Sequence, residues 1–191
     1  MHDPHRGIDY LARTKTAPLL LYLDFDGVLH HEAVYVSSKQ GIYIREPGFK
    51  LFEWAHFLVS AIEPHPTVRI VLSTSWCRQP GFSRACKRLP PELQHRVIGG
   101  TFHRRAHGAT FEMRHAFASL ARGVQVLDDV CRRRPVDWRA LDDAVEGWPQ
   151  VNLGNLVACE GERGLSDADT RDALAARLQL MERALDAHRN A

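Results

Sequence analysis

Ten residues constrain this chain more than any others: Leu20-Leu21-Tyr22-Leu23-Asp24-Phe25-Asp26-Gly27-Val28-Leu29. Four apolar residues run directly into two carboxylates spaced i, i+2, and a glycine follows. Such a run reads as a buried parallel strand, and Gly27 as the point where the chain leaves the sheet. The two Asp side chains then emerge at the C-terminal edge of a sheet, where open α/β folds bind ligands. Positions i and i+2 of a strand point to one side, and carboxylates about 4–6 Å apart repel unless a cation lies near them. A hard divalent ion, Mg2+ by default, suits an all-oxygen site.

Two further segments repeat the pattern. Thr67-Val68-Arg69-Ile70-Val71-Leu72 is β-branched and apolar and ends in Ser73-Thr74-Ser75, ahead of Trp76. Gly123-Val124-Gln125-Val126-Leu127 reads as a third strand and ends in Asp128-Asp129. Parallel strands joined by crossover helices bring their C-terminal ends to one rim, so the three polar endings are expected to meet. Asp142-Asp143 is a second carboxylate pair. Trp138, Leu141, Val145 and Trp148 around it step by three and four, which predicts an amphipathic helix and no part in the site.

The rest of the chain fits an α/β enzyme. A single domain is expected over residues 18–191, behind an N-terminal arm of residues 1–17. Val34-Tyr35-Val36 and Ile42-Tyr43-Ile44 flank Ser37 to Gly41 as a hairpin flap. A helix is predicted from Pro47-Gly48 through Leu51, Ala55, Leu58 and Ile62, ended by Pro64 and Pro66. Phe82, Cys86 and Leu89 mark another, followed by a short strand near 97–101 and a helix over 109–121. Leu156-Val157-Ala158-Cys159 is the last strand. Ser166 and Asp169 resemble a helix cap, after which Leu174, Leu178, Met181 and Leu185 line a face expected to pack on the sheet.

Net charge is only +2, but arginine greatly outnumbers lysine. Genome composition is the plain reading of that bias; a surface suited to phosphate is the other, because the planar guanidinium binds phosphate oxygens in pairs. Cys77, Cys86, Cys131 and Cys159 form no C-x-x-C pair, and no secretory signal or membrane-length apolar run is evident, so free thiols and a cytoplasmic location are expected.

The residues resemble the haloacid dehalogenase (HAD) superfamily of aspartate-nucleophile phosphohydrolases. Asp24-Phe25-Asp26-Gly27-Val28 matches its first motif, Ser73-Thr74-Ser75 falls at its second and Asp128-Asp129 at its fourth. Small single-domain members fused into bacterial RNA-repair proteins look most similar, with a DxDGVL opening, a TSW-type second motif and an LDD fourth. The resemblance spans roughly residues 18–175. It implies a Rossmann-like three-layer sandwich around a parallel sheet of about five strands, with a minimal cap or none. It also implies Mg2+ held by Asp24, the Asp26 backbone carbonyl and the fourth-motif acids, with Asp129 favoured over Asp128. Here Cys77 stands between Trp76 and Arg78, and the third-motif Lys or Arg has no unambiguous match.

On these residue types Asp24 is the nucleophile and Asp26 the general acid and base. Thr74 and the Ser75 N–H would bind phosphoryl oxygens, and the required fixed cation is left among Arg104, Arg105 and Arg114. His103 and His107, spaced for a transition metal, read better as part of a solvated or phosphate-facing loop, since Gly108 follows. The expected activity is Mg2+-dependent phosphomonoester hydrolysis. An open site favours phosphate on a bulky group, such as a nucleotide, a nucleic-acid end or a phosphoprotein. A non-catalytic phosphate- or metal-binding module is the alternative. No membrane partner is expected, and the chain should be a monomer or weak homodimer.

Overall fold

The computed structural model describes residues 19–190, so the expected arm at residues 1–17 lies outside it. In chain order the strands and α-helices are β1 (Leu19–Leu23), β2 (Val34–Ser37), β3 (Gly41–Ile44), α1 (Ala55–Ile62), β4 (Val68–Leu72), α2 (Phe82–Cys86), α3 (Pro91–Gln94), β5 (Val97–Gly100), α4 (Arg104–His107), α5 (Phe111–Ser119), α6 (Arg122–Arg133), β6 (Asp137–Asp142), β7 (Leu156–Ala158) and α7 (Ala168–Arg189). Five strands form a parallel sheet in the order β5-β4-β1-β6-β7.

The first apolar run is the middle strand because both faces of β1 are covered. Leu19, Leu21 and Leu23 join a core with Leu58 and Ile62 of α1 and Leu174, Leu178 and Met181 of α7. Leu20 and Tyr22 point the other way, onto Val126 of α6 and onto Trp138 and Trp148. Helices on both faces of one parallel sheet make the three-layer, Rossmann-like architecture. The α7 face expected to pack inward does so: Leu174, Leu178, Met181 and Leu185 are all buried. The flap is present as the antiparallel β2–β3 hairpin, and it is the only sheet outside the central one among the described residues. Among the described residues no helix is long and apolar enough to cross a membrane.

Two segments differ from the sequence expectation, and they exchange roles. Residues 123–129 are not a strand but the body of α6, so Asp128 and Asp129 do not end a strand. The buried positions Gly123, Val126 and Asp129 recur every three residues, the period of a helix face. Residues 138–142 are not a helix but β6, with Asp142 at its C-terminal end. Arg139 interrupts the apolar run there and hides the strand from hydropathy; its guanidinium is buried against Asp137 Oδ1 at 2.6 Å and the Trp138 carbonyl. Val145, a supposed member of the apolar stripe, is 48% exposed.

Three smaller differences have local causes. Helix α1 begins at Ala55, because Phe52 takes a positive φ of 61° that no helix accommodates. The cap of α7 is Asp167, which accepts from Thr170 N–H at 3.0 Å, not Ser166. Residues 104–107 make one helical turn, α4, in place of a loop.

Candidate active site on the carboxyl rim of the sheet

Strand register places the site. Leu23 of β1 pairs with Leu72 of β4 on one side and Leu141 of β6 on the other. The residues that follow, Asp24, Ser73 and Asp142, therefore leave the sheet side by side. Backbone bonds tie the ends together: Asp24 N–H donates to Leu141 O at 3.1 Å, and Ser73 N–H to Leu23 O at 2.8 Å. Asp24, Asp142 and Asp143 each offer a carboxylate oxygen, and these atoms lie within 4.8 Å of one another. Gly27 closes the opposite wall with φ +68°, and its Cα lies so near Asp143 that a Cβ would collide with that carboxylate.

Three clustered acids are costly to ionise. Burial raises the Asp24 pKa, Arg122 lowers it and Asp26 raises it again, while the Phe25 N–H and Thr74 hydroxyl bring it down. Burial, then the charge of Asp24, lifts Asp142 well above the usual carboxylate range. Asp143 is raised by the same two causes, to about 6. Each shift has the same origin, burial of like charges side by side, which a nearby cation relieves.

The cation the chain itself supplies is Arg122, which sequence reasoning missed. From the first turn of α6 its Nη2 donates to Asp24 Oδ2 at 2.9 Å. Its Nε lies 3.3 Å from Asp142 Oδ2, but out of line, so neither atom makes a hydrogen bond among the described residues. An orphaned, buried carboxylate oxygen beside two other acids is the feature a divalent ion would satisfy. The donor set is all oxygen, which fits Mg2+. The signal for Arg122 was recoverable only as a basic residue opening the helix before the strand that ends in Asp142.

Asp26 is held by a separate latch. Trp76 Nε1 donates to its Oδ1 at 2.8 Å, and His30 Nε2 approaches the same oxygen at 3.1 Å. His30 is fully buried, and its Nδ1 accepts the Phe52 N–H at 3.2 Å. With Nδ1 as the acceptor, the Nε2–H tautomer is the one that donates to Asp26. Oδ1 is thereby occupied twice, and Oδ2 has no hydrogen-bond partner among the described residues. Thr74 is buried on the same rim and its hydroxyl accepts from Trp76 N–H at 3.4 Å; Ser75 follows it in a single 3-10 turn.

The other sequence candidates lie elsewhere. Asp129 packs on the sheet face under Tyr22, whose hydroxyl donates to Oδ2 at 3.1 Å. Burial pushes Asp129 up, but His103 and the adjoining Arg133 and Arg132 outweigh it and hold the carboxyl below its usual value. Asp128 is exposed one residue earlier on α6. Helix register turns Asp129 onto the face of the sheet and Asp128 out to the surface, so the structure does not bring either to Asp24. Arg104 and Arg105 sit exposed on α4, and Arg114 Nη1 donates to the Gly108 carbonyl at 3.0 Å. No ion pair joins any of the three to Asp24 among the described residues. His103 faces Asp129, and its N–H donates to His107 Nδ1 at 3.1 Å. The cysteines are free thiols, and burial pushes Cys77 up to about 12, so it is no nucleophile at neutral pH.

No curated protein matches the chain. A family model does: that of the HAD domain in Swiss Army Knife RNA repair proteins fits residues 20–170, a span that includes both Asp24-Phe25-Asp26-Gly27 and Asp142-Asp143. By motif, sheet order and rim, the chain belongs to this family of HAD domains.

Proposed function

We propose that the chain is a Mg2+-dependent phosphomonoesterase that works through an aspartyl-phosphate on Asp24. Family membership supports phosphohydrolase-type chemistry, and HAD domains generally use Mg2+. The observation that carries the reading is a buried Asp24 set between Arg122 and the orphaned oxygen of Asp142. Asp24, Asp142, Asp143 and the Asp26 backbone carbonyl would hold the ion, whose charge neutralises the acids and the phosphoryl oxygens.

The chain's own groups then divide the work. Thr74, the Ser75 N–H and Arg122 hold the transferring phosphoryl group. An Asp24 oxygen attacks phosphorus in line; an Asp24 O–P bond forms as the ester O–P bond breaks. Asp26 gives its proton to the leaving oxygen. It then takes one from water, which attacks phosphorus, releasing inorganic phosphate and restoring Asp24. Arg122 supplies the fixed cation, and turnover separates this reading from a non-catalytic phosphate-binding module.

The open rim suits phosphate on a bulky group. The experiment is turnover of an aryl phosphate with and without EDTA, coupled to trapping by beryllium trifluoride. Mg2+-dependent turnover and analogue bonded at Asp24 are expected. Full activity in metal-free protein, or equal analogue binding to Asp24→Ala, would overturn the mechanism.

A further inference from the structure

Arg78, Arg84, Arg104 and Arg114 converge on one groove beside the site. They line a hollow of about 540 Å3 between the segment after Trp76 and helices α4 and α5. Arg78 and Arg114 continue into a second hollow of about 690 Å3 that opens at Ser75, one residue from Thr74, beneath Val36 of the flap. Together the hollows form a channel leading away from the phosphoryl position.

These four arginines contrast with the ion-paired ones, and what sets them apart from other unpaired arginines is that they line one groove. Arg122, Arg132, Arg133, Arg139 and Arg163 are all ion-paired. No ion pair engages the four groove arginines among the described residues, and all are exposed. Four like charges facing one channel repel each other, and a polyanion lying between them removes that cost. Two aromatic rings share the walls: Phe82, 37% exposed, and Phe111, 68% exposed. Guanidinium groups spaced along a groove with exposed rings between them are the elements that track a single strand, arginine on the backbone phosphates and rings under the bases. A phosphopeptide brings one phosphate and leaves most of these groups without a partner.

We propose that this groove binds the sugar–phosphate backbone of a single-stranded nucleic acid whose terminal phosphate lies at Asp24. The proposal deepens the phosphomonoesterase reading and rests on it for the position of the strand end. The arginines act on the strand beyond the terminal phosphate, so their contribution is absent from a mononucleotide.

Binding can be read without turnover. Fluorescence anisotropy on the 191-residue chain carrying Asp24→Asn, with Mg2+, would compare short single strands phosphorylated at the 3′ or the 5′ end with the matching mononucleotides and a phosphoserine peptide. One oligonucleotide is expected to bind at least about tenfold tighter than its mononucleotide. Affinity should fall with salt at a log–log slope of about −0.7 for each phosphate contacted. The double variants Arg78→Ala/Arg114→Ala and Arg84→Ala/Arg104→Ala should each weaken binding and flatten that slope, whereas Arg183→Ala on α7 should not. In active protein, the same double variants should lower the ratio of oligonucleotide to aryl-phosphate kcat/KM about tenfold or more. Equal binding of mononucleotide and oligonucleotide, a salt-independent affinity, or tighter binding of the phosphopeptide overturns the groove; the wild-type salt slope decides the matter even if a variant fails to fold. Absence of turnover alongside salt-dependent strand binding overturns the enzymatic reading and leaves the groove standing.

Discussion

At the scale of single residues the rim assigns separate jobs to neighbouring acids. Asp24 and Asp142 share Arg122, so removing the arginine leaves two buried carboxylates without their cation. Arg122→Ala should lower kcat about 10²- to 10³-fold, the usual worth of one transition-state donor, with kinetics on an aryl phosphate as the check. Asp142→Asn should abolish Mg2+-dependent turnover, and Asp129→Asn should act on stability alone. The opposite ranking in a paired activity and melting experiment would return the metal site to α6. Asp26 offers a finer case, because Trp76 and His30 hold one of its oxygens. Trp76→Phe keeps the aromatic packing on Phe25 and Phe52 but deletes the N–H donor. It should reduce kcat roughly 10- to 100-fold, as a misplaced acid does, with KM little changed; a loss confined to KM would show that the latch serves substrate binding.

At the scale of elements, α6 is the part that must not move. Its first turn carries Arg122, and the next residue, Gly123, packs against Trp148 so closely that a Cβ would lie 2.9 Å from the indole ring. Gln125, further along the same helix, donates from Nε2 to the Phe117 and Leu120 carbonyls at 3.1 and 3.0 Å, fastening α6 to the end of α5. Gly123→Ala forces the helix off the indole. Overpacking of this kind costs about 1–3 kcal/mol, and here it also draws Arg122 away from Asp24. The expected result is a lower Tm together with a fall in kcat at temperatures where the variant remains folded. A fall in Tm with kcat unchanged would mean that Arg122 adjusts independently of its helix.

At the scale of the whole molecule, the acid cluster couples stability to pH and metal. Asp143 titrates at about 6, raised by burial and Asp24, and Asp142 is shifted in the same direction. A carboxyl group whose pKa is higher folded than unfolded binds more protons in the native state. Stability of the metal-free protein therefore rises as pH drops through about 6 toward the unfolded value near 4. The lowered pKa of Asp129 opposes this below that window, and His107, lowered by burial and His103, opposes it within the window as a single group against the clustered acids. Mg2+ needs the ionised acids, so protons compete with it. Thermal melts in EDTA should show Tm increasing from about pH 7 to about pH 5, while the increment given by Mg2+ shrinks over the same interval. A metal-free Tm that declines steadily through this range would show that the three acids are not under mutual repulsion.

What the sequence alone determined was the centre of the molecule. Leu20 to Gly27 specify a buried strand, its exit and its two acids through local hydropathy and backbone freedom, and no other part of the chain is needed to read them. The flap, the run ending in Ser73-Thr74-Ser75 and the buried face of α7 were legible for the same reason, since each carries its own period. Tertiary structure decided which second acid pair joins Asp24. Val124, Val126 and Leu127 alternate well enough for a strand, yet the burial of Gly123, Val126 and Asp129 on one face selects a helix. Arg139 breaks the run of β6, and only its pairing with Asp137 inside the fold makes that strand tolerable. Arg122 is likewise invisible as a site residue until α6 packs on Trp148, because proximity across 98 positions is a property of packing and not of any local pattern.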